Sequence, residues 1–276
     1  VHVAAVLRGF GYSAPNVLAA DPVQGFLLLE DLGDDLFNIV LAREPIERPL
    51  YDAAVDLLRD LHRRPVPDGA PNFDGARALR EVRLFCEWTL PALTGVAPQA
   101  DATETFVTLW QRALATMLDA PRVLCLFDYH AENLIWLPQR AGLRRVGLLD
   151  FQDAVFGPVT YDIVSLLEDA RRDVSPELSK QLIRRYLDAF ATLDHDIFSA
   201  SYAVMGAQRA MKIIGIFTRL DRRDRKPHYL AHLPRVWHWL HSDLAHPALA
   251  SIAAWLDREL PMDERLTPHP LTAKVS

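Results

Sequence analysis

The chain has 276 residues, of which 50% are hydrophobic and 24% are charged, a balance typical of a folded globular protein and not of a disordered or fibrous one. Its 30 basic and 36 acidic residues give a net charge of −6, which argues against a protein that mainly coats nucleic acid or an acidic membrane. Cys86 and Cys125 lie far apart, which argues against a disulfide framework and a thiolate zinc site. No apolar run approaches the roughly 20 residues of a membrane span. We therefore expect a cytoplasmic protein without a nucleic-acid or membrane partner; nothing in the sequence indicates an oligomeric state.

The first predicted elements are a helix and a strand hairpin. Apolar residues lie on one side of the helix, at Val3, Val6, Leu7 and Phe10. Two apolar runs, 16–20 and 25–29, follow a turn cluster and are separated by turn residues, which predicts the hairpin. The acidic segment 30–34 then predicts a hinge between two lobes.

Helical periodicity dominates the rest of the chain. Apolar residues recur at three- and four-residue steps from about 35 to 120, and again from Pro158 to about 258. The sequence predicts an α+β fold, with an α/β part at residues 1–33 and a large, mainly helical part at residues 34–276 that carries one short hairpin.

The informative stretch surrounds that second hairpin. Strand-like runs at 134–137 and 146–149 are joined by a turn, and Asp128, Asn133 and Asp150 lie at the two ends. Because the hairpin returns the chain, we expect Asp150 to emerge beside Asn133. Phosphoryl transfer from ATP needs a carboxylate that orients the attacking hydroxyl, and an amide and a second carboxylate that hold magnesium. These three residues supply that set, whereas Asp128 alone would be an ordinary loop carboxylate.

Four segments carry a family resemblance. They are Asp-Tyr-His-Ala-Glu-Asn from Asp128, Leu-Leu-Asp-Phe-Gln-Asp-Ala from Leu148, Tyr-Asp-Ile-Val-Ser-Leu-Leu-Glu-Asp-Ala-Arg-Arg-Asp-Val from Tyr161 and Gly-Ile-Phe-Thr-Arg-Leu from Gly215. In these segments the chain resembles the aminoglycoside phosphotransferase and choline kinase group, and more closely the bacterial N-acetylmuramate/N-acetylglucosamine anomeric kinases of cell-wall recycling. The resemblance covers nearly the whole chain. It implies a protein-kinase-like bilobed fold with a truncated N-terminal lobe, ATP and Mg²⁺ as cofactors, and phosphorylation of an amino sugar at its anomeric hydroxyl.

The resemblance also implies residue roles. Asp128 would be the catalytic base, and Asn133 and Asp150 the magnesium ligands. The adenine-binding hinge would be the backbone of Leu29, Glu30, Asp31 and Leu32.

The chain departs from the protein-kinase pattern in several places. Leu126 stands where a His precedes the catalytic Asp, and Gln152 stands where a Gly follows Asp-Phe. No Gly-rich phosphate loop or strand lysine precedes the first helix, and by the resemblance both would lie upstream of Val1. Without them the phosphates would lose their backbone cradle, so we expect weak or no ATP turnover from these 276 residues alone.

Other side chains are candidates for acceptor binding: His130, Arg171, Arg209 and Lys212. His130 either holds the catalytic loop or touches phosphate or metal. Arg171, at a helix end, is compatible with macrodipole stabilisation or with sugar contact. Arg209 and Lys212 share a face of an apolar helix, where cations need a partner, either an anionic acceptor or acidic groups of the protein itself.

Alternatives remain open at the level of function and of single residues. The acceptor could be an aminoglycoside or another hydroxyl compound, although Arg209 and Lys212 suit a neutral or anionic sugar better than a polycationic antibiotic. A catalytically silent kinase-like binding module is a second alternative. Asp162 either stabilises a helix start or braces the catalytic loop. The histidines between His228 and His241 show helical steps, but Pro234 interrupts them, which favours packing over a zinc site.

Overall fold

The computed structural model describes residues 1–261. They form two compact units, the first made of Val1–Asn72 and Arg122–Leu193 and the second of Phe73–Pro121 with the described residues from Asp194 onward. The predicted boundary between residues 33 and 34 falls inside the first unit, so that division stays a prediction.

Helices make up most of the described chain. Numbered along the sequence, they are α1 (His2–Gly9), α2 (Phe37–Arg43), α3 (Glu47–Leu61), α4 (Gly75–Leu84), α5 (Leu90–Thr94), α6 (Ala100–Leu118), α7 (Tyr161–Leu167), α8 (Pro176–Leu187), α9 (His195–Arg222), α10 (Leu233–Leu244) and α11 (Ala250–Glu259). The short strands are β1 (Val17–Asp21), β2 (Phe26–Leu29), β3 (Arg122–Cys125), β4 (Leu134–Trp136), β5 (Val146–Leu148) and β6 (Val155–Pro158). The predicted α+β class with a mainly helical composition is confirmed.

The strands of the first unit form three antiparallel pairs, β1–β2, β4–β5 and β3–β6. The first two pairs are the predicted hairpins, which are confirmed. The third pair was not predicted. It joins Cys125 to Val155 and Arg122 to Pro158, across a long stretch of sequence that contains the second hairpin.

The β4–β5 hairpin is packed against the segment that follows β2. Leu32 forms a buried cluster with Ile135 and Leu137 of the hairpin region. Gly147 lies opposite Ile135, and a Cβ added to this glycine would lie 3.0 Å from the Ile135 Cβ. Leu148 N–H donates to the Ser13 carbonyl at 2.9 Å. The hairpin is therefore held by apolar packing and by a backbone hydrogen bond to the segment before β1.

The helices of the first unit show the expected burial and capping. The apolar face of α3 is buried, at Leu50, Tyr51, Ala54, Val55, Leu57, Leu58 and Leu61. α8 begins with Pro176, and the Ser175 hydroxyl accepts a hydrogen bond from Leu178 N–H at 3.2 Å.

The second unit is built around α9, which contains the predicted helix over residues 205–220. The Asp194 carboxylate caps its start by accepting from the backbone N–H groups of Asp196 and Ile197, at 2.8 and 3.0 Å. Gly215 allows close approach to α4, since a Cβ there would lie 2.6 Å from the Leu84 carbonyl carbon. Within residues 1–261 we find no helix with the length and apolarity needed to cross a bilayer.

Candidate active site

The loop that leaves β3 is held by one buried carboxylate. Asp162, in the first turn of α7, has no exposed surface. Its Oδ2 accepts from Leu126 N–H at 2.7 Å, and its Oδ1 accepts from Phe127 N–H at 3.0 Å. His62 Nε2 lies 3.3 Å from Asp162 Oδ2, and both side chains are fully buried. Of the two roles predicted for Asp162, the structure shows the brace of the loop that carries Asp128.

Phe127 takes an unusual backbone conformation at this point. Its φ is +76°, in the left-handed region that favours glycine. Its ring stacks on Tyr161, with centroids 4.7 Å apart and planes inclined by 20°. The two hydrogen bonds to Asp162 and this stacking hold the strained residue directly before Asp128.

The polar residues that follow fold into a tight loop. Asp128 is partly buried, and its carbonyl accepts from Asn133 Nδ2 at 3.0 Å. The same Nδ2 lies 3.3 Å from His130 Nε2 and 3.5 Å from Asp150 Oδ2. Leu149 N–H donates to the Asn133 carbonyl at 3.0 Å, which brings the end of β5 to the loop. Asp150 thus lies beside Asn133, as the hairpin spacing predicts.

Asp150 is held by its own neighbours. Its φ of +54° turns the chain sharply after β5, in a conformation that Asp tolerates better than most residues. The Gln152 side-chain amide donates to Asp150 Oδ1 at 2.6 Å. The residue that replaces the usual glycine therefore orients the second carboxylate of the site.

The donor atoms at this point fit magnesium. Because Asn133 Nδ2 is used by the Asp128 carbonyl, the amide Oδ1 is the atom left to bind a cation, alongside the Asp150 carboxylate. Oxygen donors are what Mg²⁺ prefers, and in phosphoryl-transfer sites one or two carboxylates suffice because the nucleotide phosphates complete the shell. In the part of the chain that the structure describes, no three His, Cys, Asp or Glu side chains converge as a metal cluster.

The comparisons with known proteins agree with this geometry. A model of the phosphotransferase enzyme family matches residues 1–195, which include both loops of the site. The chain belongs to this phosphotransferase family. The predicted membership is confirmed.

Individual relatives place the phosphotransferase among kinases. It is 43% identical to an N-acetylmuramate/N-acetylglucosamine kinase of Caulobacter vibrioides, over 94% of this chain and 74% of the relative. Among solved structures, a choline/ethanolamine kinase family protein from Mesorhizobium loti is similar with a TM-score of 0.58 at 15% identity, covering 92% of this chain and 81% of the other. ADP-bound aminoglycoside phosphotransferase APH(2'')-Ib has a TM-score of 0.57 at 14% identity, covering 89% and 82%. The predicted kinase fold is confirmed.

In this phosphotransferase the predicted hinge, Leu29–Leu32, begins at the last residue of β2. The Glu30 N–H donates to the Asn16 carbonyl at 2.8 Å, and the Glu30 side chain accepts from Asn16 N–H at 3.0 Å. The hydrogen bond from the Asn16 N–H lowers the pKa of the Glu30 carboxyl, and Arg140, 3.2 Å away, lowers this pKa further. Within the hinge, the Glu30 amide is thus already used.

Two predicted acceptor residues lie at the loop that carries Asp128. His130 Nε2 faces Asn133 Nδ2, the contact expected if the histidine holds the loop. Arg171 Nε lies 2.9 Å from Glu132 Oε2. His130 is thus part of the loop and Arg171 contacts it through Glu132, and their roles toward an acceptor stay predictions.

The other two predicted acceptor residues belong to the second unit. Arg209 is 7% exposed, on α9. Lys212 Nζ lies 3.3 Å from Glu81 Oε2, and Gln208 Nε2 donates to the same oxygen at 3.2 Å. Of the two kinds of partner predicted for Lys212, an anionic acceptor or an acidic group of the protein, the structure shows the acidic group, Glu81.

Sequence reasoning missed two supporting residues, His62 and Tyr186. His62 Nδ1 lies 2.6 Å from the Tyr186 hydroxyl, which also donates to the Val159 carbonyl at 3.0 Å. Together they continue the buried network that begins at Asp162. No spacing in the sequence connects them, because His62 precedes Asp162 by 100 residues.

Proposed function

We propose that this phosphotransferase transfers the terminal phosphoryl group of ATP to the anomeric hydroxyl of an amino sugar, N-acetylmuramate or N-acetylglucosamine. The observation that carries the proposal is the 43% identity, over 94% of the chain, to the kinase of that name. The contacts of Asn133 Nδ2 with the Asp128 carbonyl and with Asp150 Oδ2 support it. The ADP-bound neighbour of the same fold supports an adenine nucleotide as the donor.

Asp128 is the group that receives or orients the hydroxyl proton. An acceptor hydroxyl hydrogen-bonded to its carboxylate would have its oxygen aimed at the phosphorus, and the proton leaves as the P–O bond forms. Asp162 holds the two backbone amides that precede Asp128, which supports a fixed backbone at this residue. Positioning of this kind lowers the activation barrier because the entropy cost of bringing the acceptor hydroxyl and the base together is met before the reaction.

Asn133 Oδ1 and Asp150 would hold Mg²⁺. The ion, when bound, offsets negative charge on the phosphate oxygens of the nucleotide. Gln152 keeps the Asp150 carboxylate turned toward Asn133. The adenine contact falls to the backbone of Leu29, Asp31 or Leu32, since the Glu30 amide is bonded to Asn16.

Acceptor contacts are proposed for His130 and Arg171 of the first unit, next to the loop that carries Asp128. The acceptor role predicted for Arg209 and Lys212, on α9, stays a prediction.

The test is phosphorus NMR of the full-length protein with magnesium-ATP and three acceptors: N-acetylmuramate, N-acetylglucosamine and kanamycin. We expect the signal of an anomeric sugar phosphate from the two amino sugars. Phosphate on kanamycin alone would reassign the protein to antibiotic modification, and transfer to no acceptor would favour a binding module.

The same assay tests the role of Asp128. Asp128→Asn should lower kcat about 10²-fold or more, the size of a general-base contribution. Asp68→Asn, which changes an exposed loop carboxylate of the same unit, is the control and should leave kcat unchanged within twofold. A loss below threefold in Asp128→Asn would remove Asp128 from the role.

A further inference from the structure

The ion pair between Arg171 and Glu132 places a cation at the edge of the catalytic loop. Arg171 Nε and Glu132 Oε2 are 2.9 Å apart, and the two side chains are 30% and 38% exposed. Glu132 directly precedes Asn133, the proposed magnesium ligand. Asn133 Nδ2 closes this loop by donating to the Asp128 carbonyl at 3.0 Å, so the Arg171–Glu132 pair lies at the same short loop as Asp128.

The backbone behind Arg171 is firmly anchored. The Arg171 N–H donates to Asp169 Oδ1 at 2.8 Å, and Asp169 is only 2% exposed. The next residue, Arg172, is tied to Glu47 at the start of α3, with 2.9 Å between Nη2 and Oε1. Because the turn is fixed at both points, the Arg171 side chain is presented from a rigid support.

We propose that Arg171 determines specificity for acceptors that carry a carboxylate, an inference that rests on the function proposed above. The two amino sugars differ at one group, since N-acetylmuramate bears a lactyl carboxylate on the oxygen where N-acetylglucosamine has a hydroxyl. A guanidinium has five N–H donors, so one bond to Glu132 does not exhaust it, and its fork matches a carboxylate.

Glu132 explains how a neutral acceptor is tolerated at the same place. With N-acetylglucosamine bound, the Glu132 carboxylate still balances the charge of Arg171, so no uncompensated cation is enclosed. With N-acetylmuramate bound, Arg171 shares its donors between Glu132 and the lactyl group. The pair therefore accepts both sugars while favouring the anionic one.

The experiment compares acceptor preference in variants of the full-length protein. The substrates are N-acetylmuramate, N-acetylglucosamine and the methyl ester of N-acetylmuramate, which keeps the size of the lactyl group without its charge. Arg171→Gln should lower kcat/KM for N-acetylmuramate about tenfold more than for the other two sugars, mainly through KM. Arg171→Lys keeps the charge without the fork and should fall between wild type and Arg171→Gln.

Two matched variants separate acceptor recognition from loop support. Arg172→Gln breaks an ion pair of the same length one residue away and should change the preference less than twofold. Glu132→Gln should retain or raise the preference for N-acetylmuramate, because it leaves more of Arg171 for the substrate.

Several outcomes would overturn the inference. An equal loss on all three sugars in Arg171→Gln and Glu132→Gln would mean that the pair only supports the loop. Transfer by Arg171→Gln with unchanged preference would defeat this inference while leaving the proposed function intact. Absence of transfer to either amino sugar in the wild-type protein would refute both.

Discussion

Replacement of Asp162 by Asn weakens the brace of the loop that carries Asp128 while the side chain keeps nearly the same size. The carboxylate accepts two backbone N–H groups, at 2.7 and 3.0 Å, in a fully buried position. An Asn side chain has one acceptor oxygen, so one of the two amides loses its partner and faces an NH₂ group. A buried donor left without a partner costs about 1–3 kcal/mol, and the weaker remaining bond adds to this. We expect Asp162→Asn to lower the free energy of unfolding by about 3 kcal/mol.

Asp162→Asn should also lower kcat. Leu126 and Phe127 directly precede Asp128, and Phe127 keeps its left-handed conformation only while its surroundings hold it. A displacement of the loop by about 1 Å costs on the order of 10²-fold in rate. Urea unfolding followed by circular dichroism measures the first effect, and kcat with saturating substrates measures the second.

Asp194→Asn is the matched control. Asp194 also accepts two backbone N–H groups, at 2.8 and 3.0 Å, but it is exposed at the start of α9. Asn caps a helix as well as Asp does, so the expected cost is below about 0.5 kcal/mol. Equal costs for Asp162→Asn and Asp194→Asn, or an unchanged kcat in Asp162→Asn, would refute the reasoning that burial of the brace fixes the loop.

Two further predictions concern packing and pH. Gly215→Ala should lower the free energy of unfolding by about 1–3 kcal/mol, because the added Cβ would lie 2.6 Å from the backbone of Leu84. Gly9→Ala is the control, since nothing lies within 4 Å of a Cβ added there. Similar Tm values for both variants would contradict the close packing. Glu30, whose pKa is lowered by the Asn16 amide from its ordinary 4.5, contributes stability above about pH 4.5 that is lost as the pH falls through its folded pKa. Glu30→Gln should therefore lower the free energy of unfolding by up to about 1 kcal/mol at pH 7 and by close to nothing at acid pH, as measured by urea unfolding at a series of pH values. A difference in unfolding free energy that stays constant with pH would contradict this origin.

The sequence predicted the elements whose signals are local. The β4–β5 hairpin carries two apolar runs and a turn, and these alone indicate the pairing that brings Asp150 to Asn133. The β3–β6 pair carries no such signal. Its second strand ends in Gly157–Pro158, residues typical of turns, and its partner begins more than 30 residues earlier at Arg122.

Local and long-range signals differ in the same way within the candidate site. The proximity of Asn133 and Asp150 could be predicted because the loop and hairpin around them have a fixed spacing. His62 could not, since it reaches Asp162 only through the packing of α3 against α7. The ion-pair partner of Arg171 could not be predicted from the sequence either, because several acidic residues were candidates. The fold brings Glu132 to it.

The strained backbone at Phe127 has a consequence for laboratory evolution of this enzyme. A non-glycine residue at φ +76° costs about 1–3 kcal/mol, which Gly at this position would relieve. Phe127 is only 5% exposed, however, and loss of a buried aromatic ring costs about 3–5 kcal/mol, including its stacking on Tyr161. Selection for thermal tolerance and selection for turnover should therefore both retain an aromatic ring at residue 127, although the backbone there favours glycine.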